Sequence, residues 1–195
     1  MQYHFYAMLS RMKNIYRWGL MRNTKNENLS EHSLEVALIA HALAVIRKCR
    51  LSKEIDPNYV ATAALFHDTS EIITGDLPTP IKYYNNEIRS AYKQIESVAD
   101  EQLLSLLPED MREDFEPLYS PDDETEKLIK AADKLSALIK CTEELNMGNR
   151  EFSAAERATR RAIKEMNCKE ADIFLEEFME SFSLPLDEQR KGEKL

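Results

Sequence analysis

Glycine and proline are scarce in this chain of 195 residues, which contains 4 glycines and 7 prolines. So few turn-forming residues exclude collagen-like and low-complexity proteins and argue against an all-β fold with many tight turns. The sequence also lacks an uninterrupted run of about 18 apolar residues, so we expect no membrane-spanning segment. Residues 1–4 show neither the basic region nor the apolar region of a secretory signal. We therefore expect a cytoplasmic protein that does not bind membranes.

Cysteine and positive charge are also limited. The three cysteines, Cys49, Cys141 and Cys168, form no CxxC motif and cannot all pair, so we expect buried, reduced thiols. The chain has 26 Lys and Arg against 35 Asp and Glu, which gives a net charge of −9. Because an acidic surface repels phosphate backbones, we expect no nucleic-acid polymer as a partner. The one concentrated basic segment, residues 17–25, is long enough to bind a single phosphate.

Apolar residues at helical spacing are what the sequence has in abundance. Hydrophobic residues make up 43% of the chain, and they recur every three or four positions along most of it. No alternating run of strand length is present, and the length corresponds to one domain. We predict an all-α, single-domain bundle of about six or seven helices over residues 1–186, followed by a polar tail at 187–195.

Capping residues predict where the main helices begin. Ser30 is expected to cap a long helix, and the Asp56-Pro57 pair is expected to open the next one. The predicted inner face of the first of these helices consists of Leu34, Ala37, Leu38, His41 and Val45. A later helix, which begins after Asp122, is predicted to bury Leu128, Ala132, Leu135, Leu138 and Ile139. Residues 75–80 contain two prolines in three positions and are predicted to form a break.

Four ionisable residues occupy positions where their apolar neighbours predict burial: His32, His67, Asp68 and Asp133. A buried charge is costly unless it is paired or bound to a metal. Two imidazoles and two carboxylates suit Mn, Fe, Co, Ni, Cu or Zn rather than Ca, and they leave positions open for water and substrate. Glu71 follows His67 by four residues, so we expect its carboxylate on the same side, one turn later.

The order His32, His67-Asp68 and Asp133 resembles the HD-domain metal-dependent phosphohydrolase superfamily. The surrounding sequence is similar to the YfbR-type 5′-deoxynucleotidases in Arg17-Trp18 and in three further segments, which are residues 31–34 (EHSL), 67–71 (HDTSE) and 74–82 (TGDLPTPIK). The resemblance extends from near the N-terminus to about Leu186, with an HD core at about 30–142.

This resemblance implies a homodimeric enzyme that hydrolyses deoxyribonucleoside 5′-monophosphates to deoxyribonucleoside and phosphate. It implies one divalent transition metal per chain, with Co²⁺, Mn²⁺ or Cu²⁺ supporting activity. The implied metal ligands are His32, His67, Asp68 and Asp133. The implied catalytic residues are Glu71, Asp76 and Arg17. The implied substrate contacts are Arg17, Trp18, His32, Asp68, Asp76, Leu77, Pro78, Thr79 and Asp133.

The residue types leave several roles open. Arg17 offers a planar fork that fits phosphate bidentately. Either Glu71 or Asp76 could position the attacking water or protonate the leaving oxygen, because only geometry and pKa separate an acid from a base. Trp18, the only tryptophan, is either a core anchor or a wall against the sugar that crowds a 2′-hydroxyl.

Two alternative functions also stay open. One is another HD phosphohydrolase that acts on a nucleoside triphosphate or a cyclic nucleotide. A triphosphohydrolase is expected to place more Lys and Arg near its site, and a cyclic-dinucleotide phosphodiesterase carries a His-Gly-Tyr-Pro type motif that this sequence lacks. The other is a non-catalytic nucleotide-binding helical module, for which the loss of a ligand or of Glu71 would be the signature.

Overall fold

Helices make up the architecture in the computed structural model, which describes residues 2–82 and 84–189 except for the Thr79 side chain. The α-helices, in chain order, are α1 (Phe5–Leu9), α2 (Leu29–Leu51), α3 (Pro57–Phe66), α4 (Glu71–Thr74), α5 (Thr79–Lys82), α6 (Asn86–Leu104), α7 (Glu109–Tyr119), α8 (Asp123–Asn146), α9 (Ser153–Glu165), α10 (Lys169–Glu177) and α11 (Leu186–Gln189). Short 3-10 helices cover Ser10–Asn14, Arg150–Phe152 and Met179–Ser183. Over these described ranges seven α-helices have nine residues or more, so the predicted all-α, single-domain fold is confirmed.

The remaining α-helices, α1, α4, α5 and α11, have four or five residues each. The predicted polar tail begins with one of them, α11, and residues 190–195 lie outside the described residues.

Capping side chains determine where the long helices begin. Asp56 accepts a hydrogen bond of 2.9 Å from the backbone N–H of Asn58, and Pro57 occupies the first position of α3, as predicted. The predicted cap of α2 is wrong by two residues. Asn28, not Ser30, is the cap, and it exchanges side-chain-to-backbone hydrogen bonds with Glu31. Because Asn and Ser cap helices about equally well, residue type alone does not separate them.

The core lies where α2, α3 and α8 meet, and α9 and α10 contribute further side chains to it. The residues that α8 buries include Leu128, Ala132, Leu135, Leu138 and Ile139, which confirms the prediction for this helix. Alanines dominate the facing surfaces of α2 and α3, among them Ala40, Ala44, Ala63 and Ala64. Small side chains let helices approach closely, so the polar groups that they carry are also brought close together.

The predicted inner face of α2 is wrong. Leu34 and Leu38 are 57% and 65% exposed, His41 and Val45 are also exposed, and only Ala37 of the predicted set is buried. The residues that α2 buries instead include Val36, Ile39, Ala40, Leu43 and Ala44. Apolar residues surround most of this helix, so their spacing cannot select which side faces the core. The exposed side chains of Leu34, Leu38 and Val45 form what we call the α2 stripe.

By length and composition, α2 is also the one helix among the described residues that could cross a membrane, since an 18-residue window has a mean hydropathy of 1.4. The expectation of no such segment rested on an uninterrupted apolar run, which is a stricter criterion than mean hydropathy. Of that window, 56% is buried inside the protein. Because α2 packs against α3 and α8, we assign it to the core of the domain.

The three cysteines are free thiols, as expected. Cys141 and Cys168 are buried, and burial raises the pKa of Cys141 to about 12 and that of Cys168 to about 11. The expected burial of Cys49 is wrong, because this residue lies exposed near the end of α2.

A fully buried carboxylate near the end of α8 joins this helix to the basic segment 17–25. Glu144 accepts hydrogen bonds from Lys140 Nζ at 2.5 Å, from the Thr24 hydroxyl at 2.6 Å and from Asn149 Nδ2 at 2.8 Å. The Thr24 backbone N–H donates a further bond of 2.9 Å. Burial alone would raise the pKa of Glu144. The hydrogen bonds outweigh this effect and hold the pKa well below its ordinary value. We call these four residues the Glu144 cluster.

Candidate active site

His32 lies in the first turn of α2 and is buried. Its Nδ1 lies 3.1 Å from the Ser136 hydroxyl, and that hydroxyl donates to Glu35 Oε2 at 2.5 Å. Since Ser136 gives its proton to Glu35, Nδ1 of His32 carries the proton that Ser136 accepts. In the neutral ring the lone pair of His32 is therefore on Nε2, which is buried and has no hydrogen-bond partner among the described residues. Burial lowers the pKa of His32, but the carboxylates of Asp133, Asp68 and Glu27 outweigh it and raise this pKa to about 10.

His67 and Asp68 directly follow α3 and lie in a turn over residues 67–70. Nδ1 of His67 donates to the carbonyl of Ala64 at 2.7 Å, so its lone pair is on Nε2. This Nε2 lies 3.1 Å from Asp68 Oδ2 and, within the described ranges, is buried without a hydrogen-bond partner.

Asp133 joins this group from the middle of α8. Its Oδ1 lies 3.3 Å from His32 Nε2, and Asp68 Oδ2 lies 3.6 Å from the same nitrogen. One donor atom from each of His32, His67 and Asp68 can be chosen so that all three lie within 4.8 Å of one another. The structure thus brings together the four side chains predicted as metal ligands, which we call the ligand cluster.

The ligand cluster fits a divalent transition metal. Two neutral imidazole nitrogens and two carboxylates are a donor set that such ions accept. The second nitrogen of each imidazole donates to an oxygen, that of Ser136 for His32 and that of Ala64 for His67. Metal-binding histidines are oriented in this manner. The two buried, unpartnered Nε2 atoms are then the atoms that an ion would satisfy.

Arg17 reaches the ligand cluster through a short pairing of two extended segments. Residues 15–17 lie antiparallel to residues 27–29 and are joined to them by backbone hydrogen bonds of 2.9 and 3.0 Å. The pairing places Arg17 beside the start of α2. Two of its guanidinium nitrogens lie 3.5 Å from Asp68 Oδ2 and 3.9 Å from Asp133 Oδ1. A cation that fits phosphate therefore adjoins the ligand cluster.

Trp18 adopts a left-handed backbone conformation with φ of 60°, which is strained for a bulky residue. Its Nε1 donates to Glu27 Oε2 at 2.7 Å, and its ring packs against buried Phe152 with 5.3 Å between ring centroids. These contacts are those of an anchor for the segment that carries Arg17.

Two carboxyl groups with elevated pKa values lie near the ligand cluster. Glu71 begins α4 and is buried, and its Oε2 has no hydrogen-bond partner in the described part of the chain. Burial, reinforced by the charges of Asp68 and Asp76, raises the pKa of Glu71 to about 9. Burial also raises the pKa of Asp76, against the opposing charge of Arg17. Carboxyl groups in such surroundings are suited to proton transfer.

The segment after α4 turns sharply at Gly75, whose φ is 74°. The predicted break over residues 75–80 is too long, because α5 begins at Thr79. Its second proline lies in the first turn of α5, where a missing N–H costs nothing. Leu77 and Pro78 are half-buried in this connection, whereas the Thr79 side chain lies outside the described structure.

A cavity of about 310 Å³ opens beside the ligand cluster, and His67, Asp68 and Asp133 line part of it. Four basic side chains that are distant in the sequence also line it, namely Lys82, Arg89, Lys93 and Lys130. Lys82 pairs with Glu96 at 2.8 Å, and Lys130 pairs with Glu126 at 2.5 Å. The sequence shows one basic segment because these residues come from three helices, α5, α6 and α8, that meet only in the fold.

Three residues next to the site were not predicted from the sequence: Ser136, which contacts His32, Glu35, which accepts from Ser136, and Glu27, which lies beside Arg17 and His32. Glu35 follows His32 by three positions, and Ser136 follows Asp133 by three. Residues three apart on a helix share a face, so this spacing could have identified both. Glu27 gave no such signal, because its contacts depend on the pairing of residues 15–17 with residues 27–29.

Solved structures share this fold. The chain matches an HD-domain phosphohydrolase from Listeria innocua with a TM-score of 0.80, at 24% identity over 92% of this chain and 88% of the other. It also matches a cyanophage S-2L HD phosphohydrolase, which was solved bound to dA and one catalytic Zn²⁺ ion, with a TM-score of 0.65 at 20% identity over 90% and 96% of the chains. The fold is therefore that of the HD-domain phosphohydrolases.

Sequence relatives narrow this class. The chain is 47% identical to a 5′-deoxynucleotidase of Vibrio atlanticus (strain LGP32), over 96% of this chain and 98% of the relative. It is 48% identical to a 5′-deoxynucleotidase of Vibrio parahaemolyticus serotype O3:K6, over 95% and 97%. A family model described as 5′-deoxynucleotidase YfbR-like matches residues 4–182. The chain belongs to this YfbR-like family, which confirms the resemblance seen in the motifs.

Proposed function

We propose that this protein hydrolyses deoxyribonucleoside 5′-monophosphates to deoxyribonucleoside and phosphate with one divalent transition metal per chain. The observation that carries the proposal is the pair of buried, unpartnered Nε2 atoms of His32 and His67 beside two carboxylates. Arg17 lies within 3.9 Å of the same carboxylates. A metal-binding donor set next to a phosphate-binding cation is what phosphate ester hydrolysis needs. Membership of a 5′-deoxynucleotidase family supports the same reaction.

In this proposal each member of the ligand cluster is a metal ligand. A metal held by these four residues would polarise a phosphate oxygen and lower the pKa of a water molecule bound to it. Arg17 binds the phosphate with its fork and orients it for attack. Glu71 and Asp76 move the protons, since one must accept a proton from the attacking water and one must deliver a proton to the leaving 5′-oxygen.

Residues around Arg17 are proposed to bind the rest of the substrate. The proposed substrate contacts are those of the sequence analysis: Arg17, Trp18, His32, Asp68, Asp76, Leu77, Pro78, Thr79 and Asp133. In this proposal Trp18 and the segment 77–79 supply the walls that crowd a 2′-hydroxyl, and the contacts of Trp18 with Glu27 and Phe152 hold its ring in place. Such crowding is worth about 1–3 kcal/mol, so we expect a preference for deoxyribonucleotides of about ten- to a few-hundred-fold, with little choice among bases. The cavity of about 310 Å³ is within the range of small-molecule sites, and of the proposed substrate contacts Asp68 and Asp133 belong to its lining.

The metal is proposed to be Co²⁺, Mn²⁺ or Cu²⁺, as the family resemblance implies. The mixed imidazole and carboxylate set by itself fits Mn, Fe, Co, Ni, Cu or Zn. The test is to remove metal with a chelator and restore each ion separately, with Mg²⁺, Ca²⁺ and Zn²⁺ as comparisons. Activity with Ca²⁺ equal to that with Co²⁺ or Mn²⁺ would contradict this part of the proposal.

The central experiment is metal analysis of the purified protein followed by phosphate release from a panel of nucleotides. We expect deoxyribonucleoside 5′-monophosphates to be hydrolysed faster than 3′-monophosphates and ribonucleotides. Equal hydrolysis of AMP and dAMP would contradict the proposed sugar wall. Trp18→Ala should narrow the gap between them, whereas Arg17→Ala should slow every substrate.

One observation favours a second candidate substrate. Lys82, Arg89, Lys93 and Lys130 line the cavity together with the acidic residues Glu96, Asp100 and Glu126, and these basic residues could bind the additional phosphates of a nucleoside triphosphate. Deoxynucleoside triphosphates therefore belong in the panel. Their faster turnover, with polyphosphate release, would favour a triphosphohydrolase instead.

We also propose that the protein is a cytoplasmic homodimer. The α2 stripe supports a dimer, because apolar side chains exposed together on one helix favour burial against a second copy. Leu38→Glu should then produce a monomer in size-exclusion chromatography with light scattering. Leu186→Glu, at another exposed leucine, is the matched control. A dimer that survives Leu38→Glu would contradict the use of this surface.

A further inference from the structure

Glu27 is a carboxylate outside the proposed chemistry, yet its two oxygens lie near three side chains of the site. Oε2 accepts the hydrogen bond of 2.7 Å from Trp18 Nε1 and lies 3.8 Å from Arg17 Nε. Oε1 lies 3.5 Å from His32 Nδ1. The Glu27 side chain is only 13% exposed, so solvent screens these interactions weakly.

Arg17 is attracted from two sides. Two of its guanidinium nitrogens lie near Asp68 and Asp133, whereas its Nε faces Glu27. This Nε is buried and has no hydrogen-bond partner in the described chain, so the charge of Glu27 is its nearest compensation. The Arg17 backbone N–H also donates to the Glu27 carbonyl at 3.0 Å. One residue therefore holds both the main chain and the side chain of Arg17.

Trp18 depends on the same residue. A left-handed φ in a tryptophan persists only where its surroundings hold it. Glu27 fixes the indole N–H, and Phe152 packs against the ring. Glu27 thus helps to hold the strained backbone at Trp18, because it binds the indole N–H.

We propose that Glu27 is a positioning residue that directs the Arg17 guanidinium at the substrate phosphate and holds Trp18 beside it. The inference rests on the proposed function, because it takes Arg17 as the phosphate-binding group. Glu27 touches neither the phosphate nor the attacking water, and it acts through Arg17.

Glu27→Gln and Glu27→Ala separate the two contacts. Gln keeps an oxygen that accepts from the indole but loses the charge that holds Arg17, whereas Ala loses both. Glu31→Gln is the matched control, because Glu31 is exposed and Gln replaces Glu in a capping box. We expect Glu27→Gln to lower kcat/KM for every deoxynucleoside monophosphate by about ten- to a hundred-fold with unchanged metal content. The control should stay within about twofold of the unmodified protein, as is usual for exposed positions.

The emission of Trp18 gives a readout independent of activity, because the chain has no other tryptophan. Glu27→Ala should shift this emission to longer wavelength and raise its quenching by acrylamide, whereas Glu27→Gln should leave both unchanged. An emission spectrum that is the same in all three proteins would overturn the proposed role toward Trp18.

A double-mutant cycle tests whether Glu27 acts through Arg17. In an Arg17→Ala background, Glu27→Gln should cause little further loss, because the residue through which it acts is gone. Losses that multiply in the double variant would overturn the proposal. A loss of bound metal in Glu27→Gln would also overturn it, because Glu27 would then act on the metal site through His32. Failure of the proposed function would show separately, as no phosphate release by the unmodified protein. Full activity of Glu27→Gln beside an active unmodified protein would reject this inference alone.

Discussion

The two buried polar clusters of α8 differ in how their hydrogen bonds are completed. Near the end of the helix, the Glu144 carboxylate receives donors from Lys140, Thr24 and Asn149, so both of its oxygens are paired. Most buried polar groups in folded proteins are paired in this way, because an unpaired group loses the hydrogen bonds that water would provide. This cluster joins α8 to the segment that carries the basic residues.

The ligand cluster, eleven residues earlier on the same helix, is left incomplete. Within the described residues, His32 Nε2 and His67 Nε2 are buried without hydrogen-bond partners, and so is Glu71 Oε2 beside the cluster. Each such group costs about 1–3 kcal/mol. The difference supports the proposal that one cluster stabilises the fold and that the other retains unpaired atoms for an ion and a substrate. Substitutions in the two clusters should therefore have opposite consequences.

The largest effect is expected from His67→Ala. Loss of a metal ligand removes the charge stabilisation that the ion provides, so activity should fall by more than about a thousandfold. Metal content should fall with it, while the helical circular dichroism signal is retained, because the apolar core does not depend on this residue. His41→Ala, on the exposed side of α2, is the control. Full activity with bound metal in His67→Ala would remove His67 from the ligand set.

Glu71→Ala should lower the rate by about 10²–10⁴-fold, the usual contribution of a general acid or base. Metal and substrate should still bind, since this residue is not among the proposed ligands. Metal analysis and steady-state kinetics on dAMP measure the two properties separately. A variant that no longer binds metal would make Glu71 a ligand and would enlarge the cluster.

Glu144→Gln should affect stability far more than catalysis. Removing the charge leaves buried Lys140 without its counter-ion, which should cost about 3 kcal/mol in the free energy of unfolding measured in urea. Glu143→Gln, at an exposed neighbour, should change that free energy by about 0.5 kcal/mol or less. Equal stability of the two variants would show that the paired cluster contributes no more than a surface charge.

The pH dependence of this stabilisation has a definite sign. The pKa of Glu144 is lower in the folded protein than in the unfolded chain, where it is about 4.3. Its stabilisation is therefore complete above that value and is lost as the pH falls toward the folded pKa. The difference in unfolding free energy between Glu144→Gln and the unmodified protein should be constant from about pH 6 to 8 and shrink below about pH 4. A free-energy difference that grows as the pH falls would contradict the lowered pKa of Glu144 in the folded protein.

The smallest effect is expected from Ser136→Ala, which removes the acceptor for His32 Nδ1 without touching a ligand atom. Outer hydrogen-bond partners of metal ligands contribute about 10- to 100-fold to metal affinity or activity. Metal affinity measured by calorimetry should fall by that amount while the maximal rate at saturating metal changes less. Unchanged affinity would show that packing alone orients His32.

Sequence alone predicted the all-α fold and the residues of the ligand cluster because both depend on local features. A histidine or an aspartate in an apolar run, such as His67-Asp68 or Asp133, stands out wherever the chain later places it. The inner surface of α8 was also predictable, since one side of this helix is apolar and the other is polar.

Features that depend on which helices meet could not be predicted in this way. α2 is apolar around most of its surface, and only its packing against α3 and α8 shows that Leu34 and Leu38 face outward. Three further features bring together segments that are distant in sequence. They are the basic residues that line the cavity, the contacts of Glu27 and the Glu144 cluster. In all of these the information lies in the tertiary pairing of segments rather than in any one of them.

One thiol of this chain is exposed and two are buried, so the rate of thiol labelling can report how often the core opens. Cys49 should react with a maleimide at once, whereas Cys141 and Cys168 can react only when the helices around them separate, because their thiols are buried and their pKa values are raised. The slow labelling phase then measures how often the core opens under native conditions. Labelling with and without a chelator would show whether the ligand cluster, at the edge of that core, slows its opening.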